Sequence, residues 1–234
     1  MAAKKNTGPE PVLVESGRKL VRLYGDVSSQ APLPLVFLNT VQGEGAGVWN
    51  ACEKRGAPPF VLAAVERVNW SDDMTPWPME TAKWEANCAG LADLYIETLE
   101  KEIVPAVLAQ LNFKPTFCAI AGYSLGGLFA VYSLFRTPLF RRAASASGSL
   151  WYPAIVDFVE ARALCGYTDF VYLSYGNREV KARNKRGKDL LPNTAAVMTA
   201  LEAKGVRVLF EKNPGNHFYQ ATERMAKGIC AILQ

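Results

Sequence analysis

The chain contains one histidine, His217, so any imidazole chemistry rests on that position alone. Cysteine is sparse and scattered: Cys52, Cys88, Cys118, Cys165 and Cys230 make an odd count with no Cys-x-x-Cys pair and no Cys/His zinc spacing. That excludes a disulfide framework and a zinc ribbon, and reduced thiols in a cytoplasmic protein are the expectation. Apolar residues nowhere run long enough to span a bilayer, so no membrane partner is expected. Met1 to Pro11 is polar, with Lys4 and Lys5 and without the apolar stretch of a signal peptide. Residues 1–11 are expected to form a flexible N-terminus. Charge of one sign is also scarce. A net charge of +4 and a pI near 8.8, without a dense basic stripe, exclude a nucleic-acid binder. Internal repeats and low-complexity tracts are absent.

What remains is ordinary globular material, 50% hydrophobic and 21% charged, of a length that fits a single α/β domain over residues 1–234. Val12 to Val14 and Lys19 to Tyr24 flank Glu15-Ser16-Gly17 and predict an N-terminal β-hairpin. Leu35-Val36-Phe37-Leu38 is a continuous apolar run, as in a strand buried on both faces. It leads into a glycine-rich loop, Thr40 to Gly45. Phe60 to Val68 repeats the pattern and feeds a long loop, Asn69 to Lys83. Helical spacing follows from Trp84 to Leu111, with Leu91, Leu94, Tyr95, Leu99 and Ile103 on one face and Pro105 as a kink or restart. Further strands are expected at Thr116–Ile120, Arg142–Ala146, Phe170–Tyr175 and Val206–Phe210. Further helices are expected after Leu128 and over Pro153–Leu164, Thr194–Ala203 and Tyr219–Leu233. This alternation predicts an open, mostly parallel sheet with helices on both faces. In such sheets chemistry gathers at the loops beyond the carboxyl ends of the strands.

Ala121-Gly122-Tyr123-Ser124-Leu125-Gly126-Gly127 joins one of these strands to a helix. Gly-x-Ser-x-Gly in that setting is a nucleophile elbow, in which a strained turn lifts the serine hydroxyl clear of the sheet. The glycines are needed because a Cβ two residues to either side would collide with the neighbouring strand or helix. A serine hydroxyl requires a base, and His217 follows the last strand, at the correct end of the sheet. The third member should orient the imidazole. Glu179 is the first carboxylate past Phe170–Tyr175, Asp189 lies further on, and a dyad without an acid is a third arrangement. The developing oxyanion needs two N–H donors. Leu125, after the nucleophile, supplies one, and Val41 or Gln42 the other.

On these residues the chain resembles the putative-esterase family of α/β-hydrolases, which includes siderophore esterases, S-formylglutathione hydrolases and feruloyl esterases. Asn69 to Trp77 is similar to the Asn-Arg-x-x-Asp-Tyr-Thr-Pro-Trp segment of the siderophore-esterase branch. Glu102-Ile103-Val104-Pro105 resembles that family's Glu-Leu-Ile-Pro, and Ser147-Gly148-Ser149-Leu150-Trp151 its Ser-x-Ser-Leu-Trp. The resemblance implies an α/β-hydrolase fold, with the acid at Glu179 and the base at His217. Asn39-Thr40-Val41 stands where the family has Leu-Asp-Gly, which leaves the oxyanion loop open.

Trp70, Trp77, Trp84, Trp151 and Tyr152 crowd two loops that face the elbow, and they either cap the core or wall a pocket for an acyl or aryl group. Arg178, Lys181, Arg183, Lys185, Arg186 and Lys188 form the one basic cluster. It is either a solvated loop or a rim that draws an anionic substrate, with Arg183 as the candidate contact. The interval from Ala146 to Phe170 leaves no room for a cap domain. The reading is a serine esterase acting on a small-molecule ester, with no metal or organic cofactor. Its rivals are an acyltransferase of the same mechanism and a binding protein on the same fold. Oligomeric state is not legible.

Overall fold

The structure, a computed structural model, describes residues 10–80, 87–179 and 185–234, with backbone only for 185–187. A single sheet organises them. Its eight strands are β1 (Val12–Ser16), β2 (Lys19–Tyr24), β3 (Leu35–Asn39), β4 (Val61–Glu66), β5 (Cys118–Tyr123), β6 (Arg142–Ala146), β7 (Phe170–Gly176) and β8 (Arg207–Asn213). The order is β1-β2-β4-β3-β5-β6-β7-β8. The β1–β2 hairpin joins β4 antiparallel and every other pairing is parallel.

Parallel strands need crossovers, and the helices that make them cover both faces. On one face lie α1 (Gly45–Lys54) and α8 (Ala221–Ile232), packed against each other. Val48 and Cys52 of α1 and Met225, Ala226 and Ile229 of α8 meet Val36, Leu38, Leu62, Ala64 and Ala121. The opposite face takes α3 (Ala92–Thr98), α4 (Val104–Leu108), α5 (Leu125–Ser133), α6 (Ile155–Ala161) and α7 (Lys185–Ala203) over Leu35, Phe37, Ala63, Ile120 and Leu173. Alternate residues of each strand therefore enter different cores, which is why β3 reads as unbroken hydrophobic sequence. The strand β3 leads into α1 on one face, and its neighbour β5 leads into α5 on the other. A crevice opens between their carboxyl ends, the position where open α/β sheets place their ligands.

Several elements differ from expectation. Helix α1 occupies a stretch to which the sequence reading assigns no element, because two glycines dilute it and only Gly45, Val48 and Cys52 are buried. A short helix, α2 (Trp70–Asp73), lies within the expected loop Asn69–Lys83. The helix expected from Trp84 begins at Ala92, and Trp84 itself lies outside the described residues. Its buried face is Ala92, Tyr95, Ile96, Leu99 and Ile103, whereas Leu94 is 59% exposed and Leu91 partly so. Pro105 lies in the first turn of α4, so the helix restarts there as expected, after a wide π-turn over Leu99–Ile103. Helix α7 begins at Lys185 rather than Thr194 and passes through Pro192, held by the burial of Leu190, Val197 and Leu201. The elbow strand is shifted to Cys118–Tyr123, and β8 extends to Asn213.

Candidate active site

Ser124 stands between β5 and α5 with φ 55° and ψ −121°, a conformation that side chains rarely adopt. The turn is over-determined. Ser124 N–H continues the sheet ladder to the Ala146 carbonyl at 3.2 Å, and the Ser124 carbonyl accepts from Gly127, Leu128 and Ser149. A Cβ at Gly122 would strike the backbone of Gly126, and one at Gly126 would meet the Trp70 indole at 2.9 Å. The glycines make room for the strand-to-helix reversal, as expected.

His217 arrives from the loop after β8. Its Nε2 lies 3.0 Å from Ser124 Oγ and its Nδ1 lies 2.7 Å from Glu179 Oε2. A carboxylate can only accept, so Nδ1 carries the proton and Nε2 presents a lone pair to the serine. Glu179 is the carboxylate hydrogen-bonded to His217, and Asp189 lies on α7. The acid and histidine loops are laced together. Asn177 N–H donates to the Asn213 carbonyl at 2.7 Å, Arg178 N–H to the Gly215 carbonyl at 3.0 Å, and Gly215 N–H to Asn177 Oδ1 at 3.0 Å.

Glu179 is nearly buried. Burial pushes its carboxyl up, but the His217 hydrogen bond, the Gly176 N–H and the Ser147 hydroxyl outweigh that, so it lies below the usual carboxylate range. Its Oε1 accepts from Gly176 N–H at 2.5 Å, from Ser147 Oγ at 2.9 Å and from Arg224 Nη1 at 3.2 Å. Arg224 also donates to Ser147 Oγ, Tyr123 Oη and the Pro214 carbonyl, while Tyr123 Oη donates to the His217 carbonyl at 2.7 Å.

These surroundings include residues that sequence reasoning missed. Ser147 and Ser149 sit in the Ser-x-Ser segment noted above, and its spacing was the available signal. Ser147 reaches the acid, and Ser149 Oγ lies 3.4 Å from Ser124 Oγ. Arg224 gave no signal, because on an amphipathic helix it reads as a solvated charge.

The oxyanion candidates divide. Leu125 N–H opens α5, where first-turn amides have no partner within the helix. Val41 and Gln42 N–H groups converge on one oxygen, Glu44 Oε2, at 2.9 and 3.0 Å. The two amides thus form a seat for an anionic oxygen, and a carboxylate of the chain fills it.

A cavity of about 440 Å³ lies between the β3 loop and His217. Ser124, Trp70, Val41, Gln42 and Glu44 line it, together with Leu38, Val48 and Met225. Trp77 and Trp151 do not line this cavity. Trp77 donates its indole N–H to the Pro153 carbonyl at 3.0 Å and packs among Tyr132, Tyr152 and Phe158, so it ties the α2 loop to the core. Trp151 is half-buried against the core beside Tyr152. Arg183 and Lys181 lie outside the described residues. Cys118 lies within β5, away from the turn, and burial pushes its thiol up to about 11. No cluster of side chains among the described residues could hold a metal ion, and no helix there is long and apolar enough to cross a membrane.

An elbow serine at the switch point of this sheet, with no cap domain among the described residues, defines the molecule as an α/β-hydrolase. The model of the family described as Putative esterase matches residues 39–220, and the chain belongs to that family. It is 26% identical over 160 residues to the "Uncharacterized protein YbbA" of Bacillus subtilis (strain 168), a match that spans 67% of this chain and 64% of that protein. An IroE-like serine hydrolase from Shewanella oneidensis superposes with a TM-score of 0.76 at 20% identity, covering 95% of this chain and 79% of that one. The siderophore hydrolase EstB from Aspergillus nidulans gives 0.73 at 19% identity, covering 95% and 94%.

Proposed function

We propose that the protein hydrolyses carboxylic esters through an acyl-enzyme on Ser124. The observation that carries this is the relay Ser124 Oγ–His217 Nε2 at 3.0 Å and His217 Nδ1–Glu179 Oε2 at 2.7 Å, set on a strained elbow. As Ser124 Oγ bonds to the ester carbonyl carbon, its proton passes to His217 Nε2. Glu179 then faces an imidazolium and stabilises it. The carbonyl oxygen takes up the negative charge beside Leu125 N–H and the Val41 and Gln42 amides, displacing Glu44 from the latter pair. Collapse breaks the bond to the leaving oxygen, which receives the proton from His217. Water then attacks the acyl-enzyme by the same steps in reverse roles.

The walls contributed by Leu38, Val48, Trp70 and Met225 suit an apolar acyl or aryl group. We assign a bulky aryl or siderophore-type ester as the substrate class. The open site and the siderophore hydrolase among the structural relatives support this. Five free cysteines fit a reducing compartment, and we place the protein in the cytoplasm.

The test is hydrolysis of p-nitrophenyl acetate and butyrate. Ser124→Ala and His217→Ala should each lose about three orders of magnitude or more in kcat, and Glu179→Ala less. Wild type that neither hydrolyses these esters nor reacts at Ser124 with a fluorophosphonate would overturn the reading.

A further inference from the structure

Arg224 is 3% exposed, although arginine is rarely fully buried. The guanidinium turns inward and joins four pieces of chain. Nη1 donates to Glu179 Oε1 at 3.2 Å, Ser147 Oγ at 3.0 Å and Tyr123 Oη at 3.2 Å, and Nη2 donates to the Pro214 carbonyl at 2.5 Å. Those partners are the acid, the turn after β6, the residue before the nucleophile and the start of the histidine loop. A buried ion pair is a poor source of net stability compared with apolar packing. What this one does is fix three loops relative to one another and place a permanent positive charge behind Glu179.

We propose that Arg224 is a positioning residue for ester hydrolysis: it aims Glu179 Oε2 at His217 and sets the pH below which the Glu179–His217 pair binds a proton and activity is lost. The inference rests on the Ser124–His217–Glu179 relay proposed above. Among the described residues the charged and titratable groups around Arg224 are few. Glu179 is the carboxylate in contact, Tyr123 faces it from β5, and His217 stands behind both. Arg178 lies on the acid turn. On α8 itself Glu223 and Lys227 flank it, and Lys227 is paired with Glu211 of β8 at 2.8 Å. The positive charge of Arg224 opposes a further proton on the pair, whichever member receives it. Without that charge the pair protonates more readily, and the acid limb of kcat/KM moves to higher pH.

The test compares Arg224→Met, Arg224→Lys and Arg224→Met in a Glu179→Gln background, using p-nitrophenyl butyrate across pH. Arg224→Met should lower kcat by up to about 10²-fold, the scale of a misaimed catalytic group. KM should change little, and the acid limb should rise by about one pH unit. Arg224→Lys keeps the charge and loses the fork, so kcat should fall while the limb stays in place. In the Glu179→Gln background, Arg224→Met should add little, because the two residues act as one unit. An acid limb that stays put in Arg224→Met, or additive losses in the double variant, would overturn the proposal and leave only a structural role. Should Arg224→Met fail to fold, Arg224→Lys still decides, since a limb that moves with the charge retained, or an unchanged kcat, contradicts the proposal. Ser124→Ala serves as the control: equal turnover by it and wild type removes the relay and this inference together. An active wild type with an unmoved limb removes this inference alone.

Discussion

Glu179 collects its donors at a cost in solvation, and that balance has a measurable sign. Its carboxyl lies below the ordinary value of 4.5, with the His217 hydrogen bond the largest of the lowering causes. A carboxyl depressed by folding contributes stability that is present above the unfolded value and lost as the pH falls through and below it. Wild type should therefore lose stability in urea as the pH falls from about 5.5 through and below the ordinary carboxyl value. His217→Ala should lose less over the same interval, because less depression is left to forfeit. Equal losses in both proteins would show that the histidine is not what holds the carboxyl down. At this scale the sequence was most informative where the signal was local or unique. Ser124 is marked by the five residues around it, and His217 has no competitor. Glu179 needed only the rule that the acid follows its strand. Arg224 and Glu44 were opaque for a common reason: both are charges on helical or loop sequence that reads as solvated, and their partners are fixed only by tertiary packing. Trp77 stayed open between core and pocket wall, since an indole in a loop facing the elbow serves equally well as either, and packing makes it core.

Helix α8 ties the two sides of the site together, and its seat on the sheet is narrow. A Cβ at Gly228 would lie 2.9 Å from Tyr172 Cδ1 and 3.3 Å from the Ala144 Cβ. Gly228→Ala should force the helix away from β6 and β7 and destabilise the protein by about 1–3 kcal/mol. Since Arg224 lies one turn earlier on the same helix, kcat should fall as well, by more than the loss of folded protein explains. Chemical denaturation and active-site titration of the same sample separate the two effects. Strands were legible because their apolar runs follow from burial on both faces. Helices were less so. In α3 the eye is drawn to Leu91 and Leu94, but Ala92 and Ile96 face inward. In α1 a single pair of buried side chains one turn apart was too thin a stripe to stand out.

Over the whole molecule, the interval between β6 and β7 holds only α6, so no cap over the crevice at the switch point comes from there. No cap domain covers the site among the described residues, and a site so left open has no closed state for a lipid–water surface to open. The rate on p-nitrophenyl butyrate should therefore run smoothly through the solubility limit of the ester, and a jump in rate there would indicate a covering segment. The fold as a whole was readable because alternation of strand and helix leaves few topologies, whereas the cavity was not, because its walls come from β3, α1, α2 and α8 at once.

That mixed origin bears on how the protein could be altered. Met225 of the cavity wall is the immediate neighbour of Arg224, so a change of shape on α8 also disturbs the relay. Val48 and Trp70 line the same cavity from α1 and α2. Selectivity and turnover are thus separate variables on one wall and a single variable on the other. Redesign of substrate preference belongs at Val48, since Trp70 rests against Gly126 of the elbow.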